Sequence, residues 1–472
     1  MGGGRASLPG MAKKIPLQKL SRVLKPAQVS QDPQDLDIYG RDWTDLYQPH
    51  PSAILFPETT KQVQGIVQWG LKNKVALVPS GGRTGLSAGA FALHGEVVVS
   101  LAKMNKVLHF DATEPSVQVQ AGVITENLQN FAASKGFYYP VDFASRGSSQ
   151  IGGNIATNAG GIKVLRYGMT REWVTGLQVV TGNGDILDLN KGLIKNASGY
   201  DLRHLFIGSE GTLGIITEAT IALCPPPRDL QVVVLGLSSL EMIMTVFEKI
   251  RDVAQLTAYE MWTDAAQRCS REQLGYADPF KQSMPFYVLF EYEKQGPEND
   301  EKILDLIERL SSQGVIQDAV LSQNSQQDRA FWKLREDLTE ATSHRPCYKN
   351  DVSVRVSQVP QFLVTIDQMI KKDYPDFSVV WFGHIGDGNL HINILQPESM
   401  DVKTFLKRCH GVDKALFKAI EDFGGSISAE HGVGLVKKPY LKHSRSKAEI
   451  SAMKDLKAIF DPAGILNPGK IF

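Results

Sequence analysis

Cysteine is scarce: Cys224, Cys269, Cys347 and Cys409 are the only four in 472 residues. They are widely spaced and form no CxxC pair. This excludes a disulfide scaffold or a thiolate metal motif and fits a reducing compartment. Net charge is lacking too. With 51 basic and 51 acidic residues the formal charge is zero, so no basic surface advertises nucleic acid and no acidic tail a solvating role. No apolar run reaches the roughly 18 residues of a membrane span. A local deficit marks the start: residues 1–31 hold no Asp or Glu but carry Arg5, Lys13, Lys14, Lys19, Arg22 and Lys25. A basic leading helix is the reading adopted, with an organellar presequence as the alternative and Met11 a second candidate start.

The length suits two or three domains. "SAILFPETTKQVQGIVQWGLKNKVALVPSGG" predicts strand, helix, strand and glycine loop, with Thr59 or Thr60 as cap and Val63, Ile66, Val67 and Leu71 on the apolar face. The chain stays strand-rich and glycine-rich to "GIITEATIALCPPP". Pro225, Pro226 and Pro227 mark a boundary, because proline fixes φ and gives no amide donor. "RDLQVVVLGLSSLEMIMTVFEKIRD" predicts a strand and a helix. Strands and helices then alternate to a helix near 403–423. The remainder, 424–472, is too short to fold alone and is expected to pack back.

Glycine is plentiful in three loops. "PSGGRTGLSAGA" follows a predicted strand and can turn a row of amides toward an anion. It is neither a Walker loop nor a GxGxxG fingerprint. "GSSQIGGNIATNAGG" holds mostly small side chains, which lets the backbone approach a flat or charged ligand. "GSEGTLGIIT" is the third. One such loop usually marks a turn; three together argue for a large phosphate-bearing cofactor.

"GHIGDGNLHIN" places two of the ten histidines around Asp387-Gly388. That dipeptide predicts a two-residue type I′ hairpin. His384 would then pair with His391 on one face, Cβ atoms roughly 5 Å apart, with Asn393 on the same side. Two imidazoles could converge on one ion; a tight hairpin with two surface histidines is the bland alternative.

The motifs "PSGGRTGL", "IGGNIATNAGG", "YGMTREWVTGLQVVTGNGDIL", "GSEGTLGIIT" and "LNPGKIF" resemble those of the FAD-linked oxidases of the vanillyl-alcohol oxidase and p-cresol methylhydroxylase superfamily. "GHIGDGNLHIN" and "SAEHGVG" resemble its D-2-hydroxyacid dehydrogenases. The resemblance runs from about Tyr39 to Phe472. It implies an α+β fold: an N-terminal extension (1–38), an FAD-binding domain (39–227), a substrate or cap domain (228–423) and a C-terminal segment completing the active site (424–472). It implies FAD with its pyrophosphate on Ser80, Gly81, Gly82, Arg83, Thr84, Gly85 and Leu86. Further contacts are implied from Pro140, Asp142, Ser148, Gly152, Gly153, Asn154, Thr157, Asn158, Gly160, Gly161 and Ile215. Several relatives tether the flavin through a histidine where Arg83 stands, so the flavin here is expected to be non-covalent.

The same resemblance implies a divalent metal, zinc by its donor set, on His384, His391 and Glu430, with His431 as general base. The metal would lower the pKa of the substrate hydroxyl, and the Cα hydrogen would pass as hydride to flavin N5. Because a regular strand sends neighbours to opposite faces, a bend is expected between Glu430 and His431. "DRAFWKLREDLTEAT" predicts one helix with Arg335, Thr339 and Trp332 on a shared face. Arg335 matches a carboxylate-binding arginine. Lys349 resembles a lysine of the branch that oxidises D-2-hydroxyglutarate, which is the expected substrate; Thr339 and Asn393 complete the substrate set. D-lactate or glycolate oxidation, a metal-dependent hydrolase and a non-catalytic flavin binder are the alternatives. Expected partners are the hydroxy acid, an acceptor such as electron-transfer flavoprotein or a quinone, and a second copy in a homodimer. The expected compartment is the cytoplasm, or the mitochondrion in a eukaryote.

Overall fold

The computed structural model describes residues 15–44 and 46–472. The earlier part of the basic leader, with Arg5, Lys13, Lys14 and Met11, lies outside the described residues. Its later part forms a 3₁₀ turn, Leu17–Arg22, rather than a longer helix.

Three sheets organise the chain. The first has four strands, in the order Val29–Ser30, Ala53–Leu55, Val97–Ser100, Leu77–Ser80. Its last three strands run parallel. Their side chains are nearly all buried, as parallel strands covered on both faces require. The helix Thr60–Asn73 covers it with Val63, Ile66 and Val67 fully buried, and Thr59 caps it by accepting from Gln62 N at 3.2 Å. A five-stranded antiparallel sheet follows, built from residues 107–222. The third sheet has seven antiparallel strands, ordered Asp318–Leu321, Leu230–Leu237, Phe286–Glu293, Gln255–Thr263, Ser378–Gly383, Asn389–Leu395, Cys347–Ser353.

Alternation decides what each face of the large sheet does. Val233, Leu235, Ile392 and Ile394 pack under the helices Leu240–Ile250, Val359–Asp373 and Val402–Asp422. Val232, Val234, Phe382 and Leu395 face the other way, with Leu334, Leu338 and Ala341. His391 and Asn393 share the side of Leu395 by the same alternation. The C-terminal stretch returns to the first sheet: Leu466 bridges Leu77, and Asn467 Nδ2 donates to Gly89 O and Glu210 O at 2.9 and 2.7 Å. Among the described residues no helix is long and apolar enough to cross a membrane.

Two local expectations are corrected. Phe382, not His384, pairs with His391. The connection is five residues, His384 to Gly388, and only Gly388 has positive φ, at 84°. A type I′ turn needs positive φ at two positions. Tertiary contacts set the loop instead. Gly386 N donates to Tyr259 O at 3.0 Å, and a Cβ on Gly388 would sit 2.1 Å from Val354 O. The second correction is the helix: it stops at Glu336 and resumes as Leu338–Ala341, because Asp337 leaves helical geometry at φ −83°, ψ 5°. Trp332 donates to Glu291 Oε2 at 2.8 Å, while Arg335 meets Glu260 on the same face of the sheet.

Glu291 is the centre of a buried tie between the glycine-loop region and the large sheet. It pairs with Lys163, accepts from Thr257 Oγ1 and holds the Trp332 indole, while Lys163 Nζ lies 4.6 Å from that ring's centroid. Breaking a buried pair from one side leaves an uncompensated charge, at about 3–5 kcal/mol. Lys163→Met is therefore expected to lower the thermal midpoint clearly. Adding Glu291→Gln should recover part of the loss, and a single variant as stable as wild type would refute the tie.

Candidate active site

The glycine loops and the large sheet enclose one cavity of about 900 Å³, within the range of cofactor and ligand sites. Its walls include Ser80–Leu86, Ser148, Gly152, Gly153, Asn154, Thr157, Gly160, Gly161 and Ile215 at one end. Arg335, Thr339, Lys349, His384, His391, Asn393, Glu430 and His431 line the other. Three residues implied as cofactor contacts do not line it. Asp142 is bonded to Arg146 Nη1 at 2.8 Å, Asn158 accepts Arg171 N at 2.9 Å as a left-handed helix cap, and Pro140 is buried.

Glycine at 82 is obligatory for a steric reason. A Cβ there would lie 2.3 Å from Ser148 O, so the first and second loops could not meet. Among the described residues, no backbone N–H from Gly81 to Leu86 has a protein acceptor. Ser80 Oγ and Gln150 Oε1 are buried without partners, and both line the cavity. Unmet donors beside unmet hydroxyl and amide groups suit an anionic, polar ligand.

At the other end three imidazoles converge. The Nε2 atoms of His384, His391 and His431 lie 4.0, 3.7 and 3.5 Å from Glu430 Oε1. Ligands about 2 Å from a common ion stand roughly 3–3.5 Å apart, so this spacing fits an ion after a small contraction. Each ring turns its Nδ1 toward a buried carboxylate. Glu260 Oε1 is 2.9 Å from His384; Asp351 lies 4.0 Å from His391 and 3.4 Å from His431. Carboxylates behind imidazoles orient them for metal binding.

Asp351 does more than face two rings. Its Oδ2 accepts the backbone N–H groups of Ala429, Glu430 and His431 at 3.2, 3.1 and 3.1 Å. Its Oδ1 accepts from Asn389 Nδ2 at 2.8 Å. Three successive amides curled around one oxygen make the bend that brings Glu430 and His431 to the same side. Burial opposes the charge of Asp351, yet His431, Lys437 and His391 hold the carboxyl well below its usual range. Burial keeps His391 well below the ordinary histidine range, so its lone pair is free. Burial also pulls His384 down, but Glu260 overrides it and pushes the ring up to about 9; an arriving ion would displace that proton.

The two cations in this wall differ in setting. Arg335 is buried, its Nε 2.9 Å from Glu260 Oε2, but neither Nε nor Nη2 makes a well-formed hydrogen bond. Lys349 is exposed, donates to Ser343 Oγ at 3.2 Å and stands opposite Asn393 in the strand pair. Thr339 lines the same wall although the helix breaks before it.

Residues 51–190 match the FAD binding domain family, and residues 226–471 match the C-terminal domain of FAD linked oxidases. The D-2-hydroxyglutarate dehydrogenase of Stutzerimonas stutzeri is 54% identical over 459 residues, 97% of this chain and 98% of its own. That of Xanthomonas citri pv. viticola is 49% identical over 453 residues, 96% of each. The chain belongs to the FAD-linked oxidase family. It is an FAD-dependent hydroxyacid dehydrogenase. Its fold is that of p-cresol methylhydroxylase, whose substrate-bound crystal structure superposes with a TM-score of 0.76 at 17% identity over 96% of each chain. FAD fits the glycine-loop end of this FAD-linked oxidase, where the unmet amides and the partnerless Ser80 and Gln150 lie.

Sequence reasoning missed Glu260, Asp351 and Gln150. Glu260 left one trace: it is the lone acid in "LTAYEMW". Asp351 left none, since its role depends on lying opposite His391 across two strands. Asp351→Asn should be severe, because an amide cannot accept from the three N–H groups and from Asn389 without facing a donor with its own NH₂. Flavin reduction by substrate is expected to slow roughly 10- to 100-fold with a lowered thermal midpoint. A wild-type rate would show that the bend forms without the charge.

Proposed function

We propose that the protein oxidises D-2-hydroxyglutarate to 2-oxoglutarate. The observation that carries this is the second cation. Arg335 suits one carboxylate of the acid, and Lys349, on a different element of the same wall, suits the distal one. Two relatives of closely matching length carry that substrate in their names.

His384, His391 and Glu430 would hold a divalent metal, for which two imidazoles and a carboxylate suit zinc and leave positions open. Bound there, the ion supplies Lewis acidity toward the 2-hydroxyl. Ser80–Leu86, Ser148, Gly152–Asn154, Thr157, Gly160, Gly161 and Ile215 would hold FAD non-covalently, with Arg83 where some relatives carry a tethering histidine. FAD supplies the two-electron acceptor at N5. The protein's own work is orientation and proton handling. Arg335 and Lys349 fix the two ends of the diacid, and Asn393 and Thr339 border it. His431 takes the hydroxyl proton at Nε2, and Asp351 behind its Nδ1 stabilises the imidazolium that forms. An external acceptor such as electron-transfer flavoprotein or a quinone would take up the two electrons.

Lys349→Met tests the substrate reading. A charge-assisted contact that lactate cannot make is worth about 1.5–3 kcal/mol. That is roughly a 10- to 150-fold preference in kcat/KM. The substitution should erase the preference and leave D-lactate oxidation nearly unchanged. An unchanged ratio, or wild-type protein that prefers D-lactate, would favour the monocarboxylate alternative.

A further inference from the structure

Glu260 sits in the strand Gln255–Thr263, 1% exposed, flanked by Tyr259 and Met261, which enter the apolar core under the helices. Its own side chain turns the other way and meets two groups from separate elements. His384 Nδ1, from the loop after Ser378–Gly383, is 2.9 Å from Oε1 and 2.8 Å from Oε2. Arg335 Nε, from the helix Ser325–Glu336, is 2.9 Å from Oε2. The loop is pinned beside it by the Gly386 N to Tyr259 O bond.

We propose that Glu260 is a positioning residue that ties the metal ligand His384 to the carboxylate clamp Arg335, so that one buried charge sets both the ion site and the acid site. The inference rests on the metal-and-clamp reading above. A carboxylate only accepts, so the ring hydrogen shared with Glu260 is on Nδ1. The Nε2 lone pair of His384 is then directed toward Glu430. Contact through Nε, rather than through both Nη atoms, leaves the outer edge of the guanidinium unpaired; Nη2 is buried without a protein acceptor, and Arg335 lines the cavity. A glutamate serving only to neutralise Arg335 would occupy that forked edge, the favoured carboxylate geometry. Here the fork is left for a ligand. An acid carboxylate reaching the outer edge of Arg335 would draw the guanidinium away from Glu260 and return negative charge to His384. Acid binding and ion binding therefore reinforce each other, and the reinforcement is reciprocal.

Glu260→Gln removes the charge at constant volume. Two binding readouts on FAD-loaded protein test it: zinc affinity by chelator competition, and calorimetric binding of glutarate, a diacid without a 2-hydroxyl, to metal-free protein. Zinc affinity should fall 10- to 100-fold, while glutarate, no longer competing with Glu260 for Arg335, should bind more tightly, with FAD content unchanged. A merely structural role would lower the thermal midpoint and leave the zinc affinity of the folded protein as in wild type, which overturns the proposal. If Glu260→Gln does not fold, Arg335→Met decides. It leaves Glu260 wholly to His384, so zinc should bind more tightly, and unchanged or weaker binding overturns the tie. Wild-type protein that binds no zinc would overturn the metal reading itself, and this inference with it.

Discussion

The carboxylate of Asp351 is the interaction on which the site depends. Three consecutive amides, from Ala429 to His431, close on one of its oxygens. Without that anion the segment has no reason to bend, and Glu430 and His431 would point apart. Lys437 compensates the charge from behind, donating to Asp351 O at 2.8 Å, with Nζ 3.6 Å from the carboxylate. The site is thus assembled from two distant stretches, a strand of the large sheet and the C-terminal segment. Glu210 fastens that segment to the glycine-loop side by accepting Val433 N and Gly434 N at 2.7 and 2.8 Å. Its burial, in turn, raises its carboxyl to about 6.

The same device recurs around the cavity: a buried acid holds apart or together groups that local structure alone would not position. Asp351 orders the bend, Glu260 stands between His384 and Arg335, and Glu291 joins Lys163 to the helix that carries Arg335. Such charges are poor sources of stability when compared with well-packed apolar side chains. What they supply is direction. Asp351 and Glu291 are hydrogen-bonded on both oxygens, which makes their networks rigid, whereas Glu260 Oε2 is left without a well-formed hydrogen bond.

Local signals made part of this legible. Small residues in the glycine loops announce close backbone approach, and the Thr59 cap and the Val63–Val67 face announce their helix. The convergence of His384 and His391 was readable because both flank one turn, and their rings do stand 5.5 Å apart. The register was not readable. Asp387-Gly388 favours a two-residue turn, but contacts with Tyr259 and Val354, far away in sequence, impose a five-residue loop. The break at Asp337 escaped for a similar reason: the periodicity of Leu334, Leu338 and Ala341 survives it, since all three remain buried. Asp142 and Asn158 sit amid cofactor-loop residues, yet their side chains are engaged by Arg146 and the Arg171 amide. Chain position cannot distinguish a loop residue that faces the ligand from one that secures the loop.

The central claim is that three imidazoles and Glu430, arranged by Asp351 and Glu260, form a metal-dependent centre for oxidising a 2-hydroxy acid. Anaerobic flavin absorbance tests it most directly. FAD-loaded protein stripped of metal should stay yellow on addition of D-2-hydroxyglutarate and should bleach after one equivalent of zinc is restored. Full-rate bleaching of the metal-free protein would contradict the account.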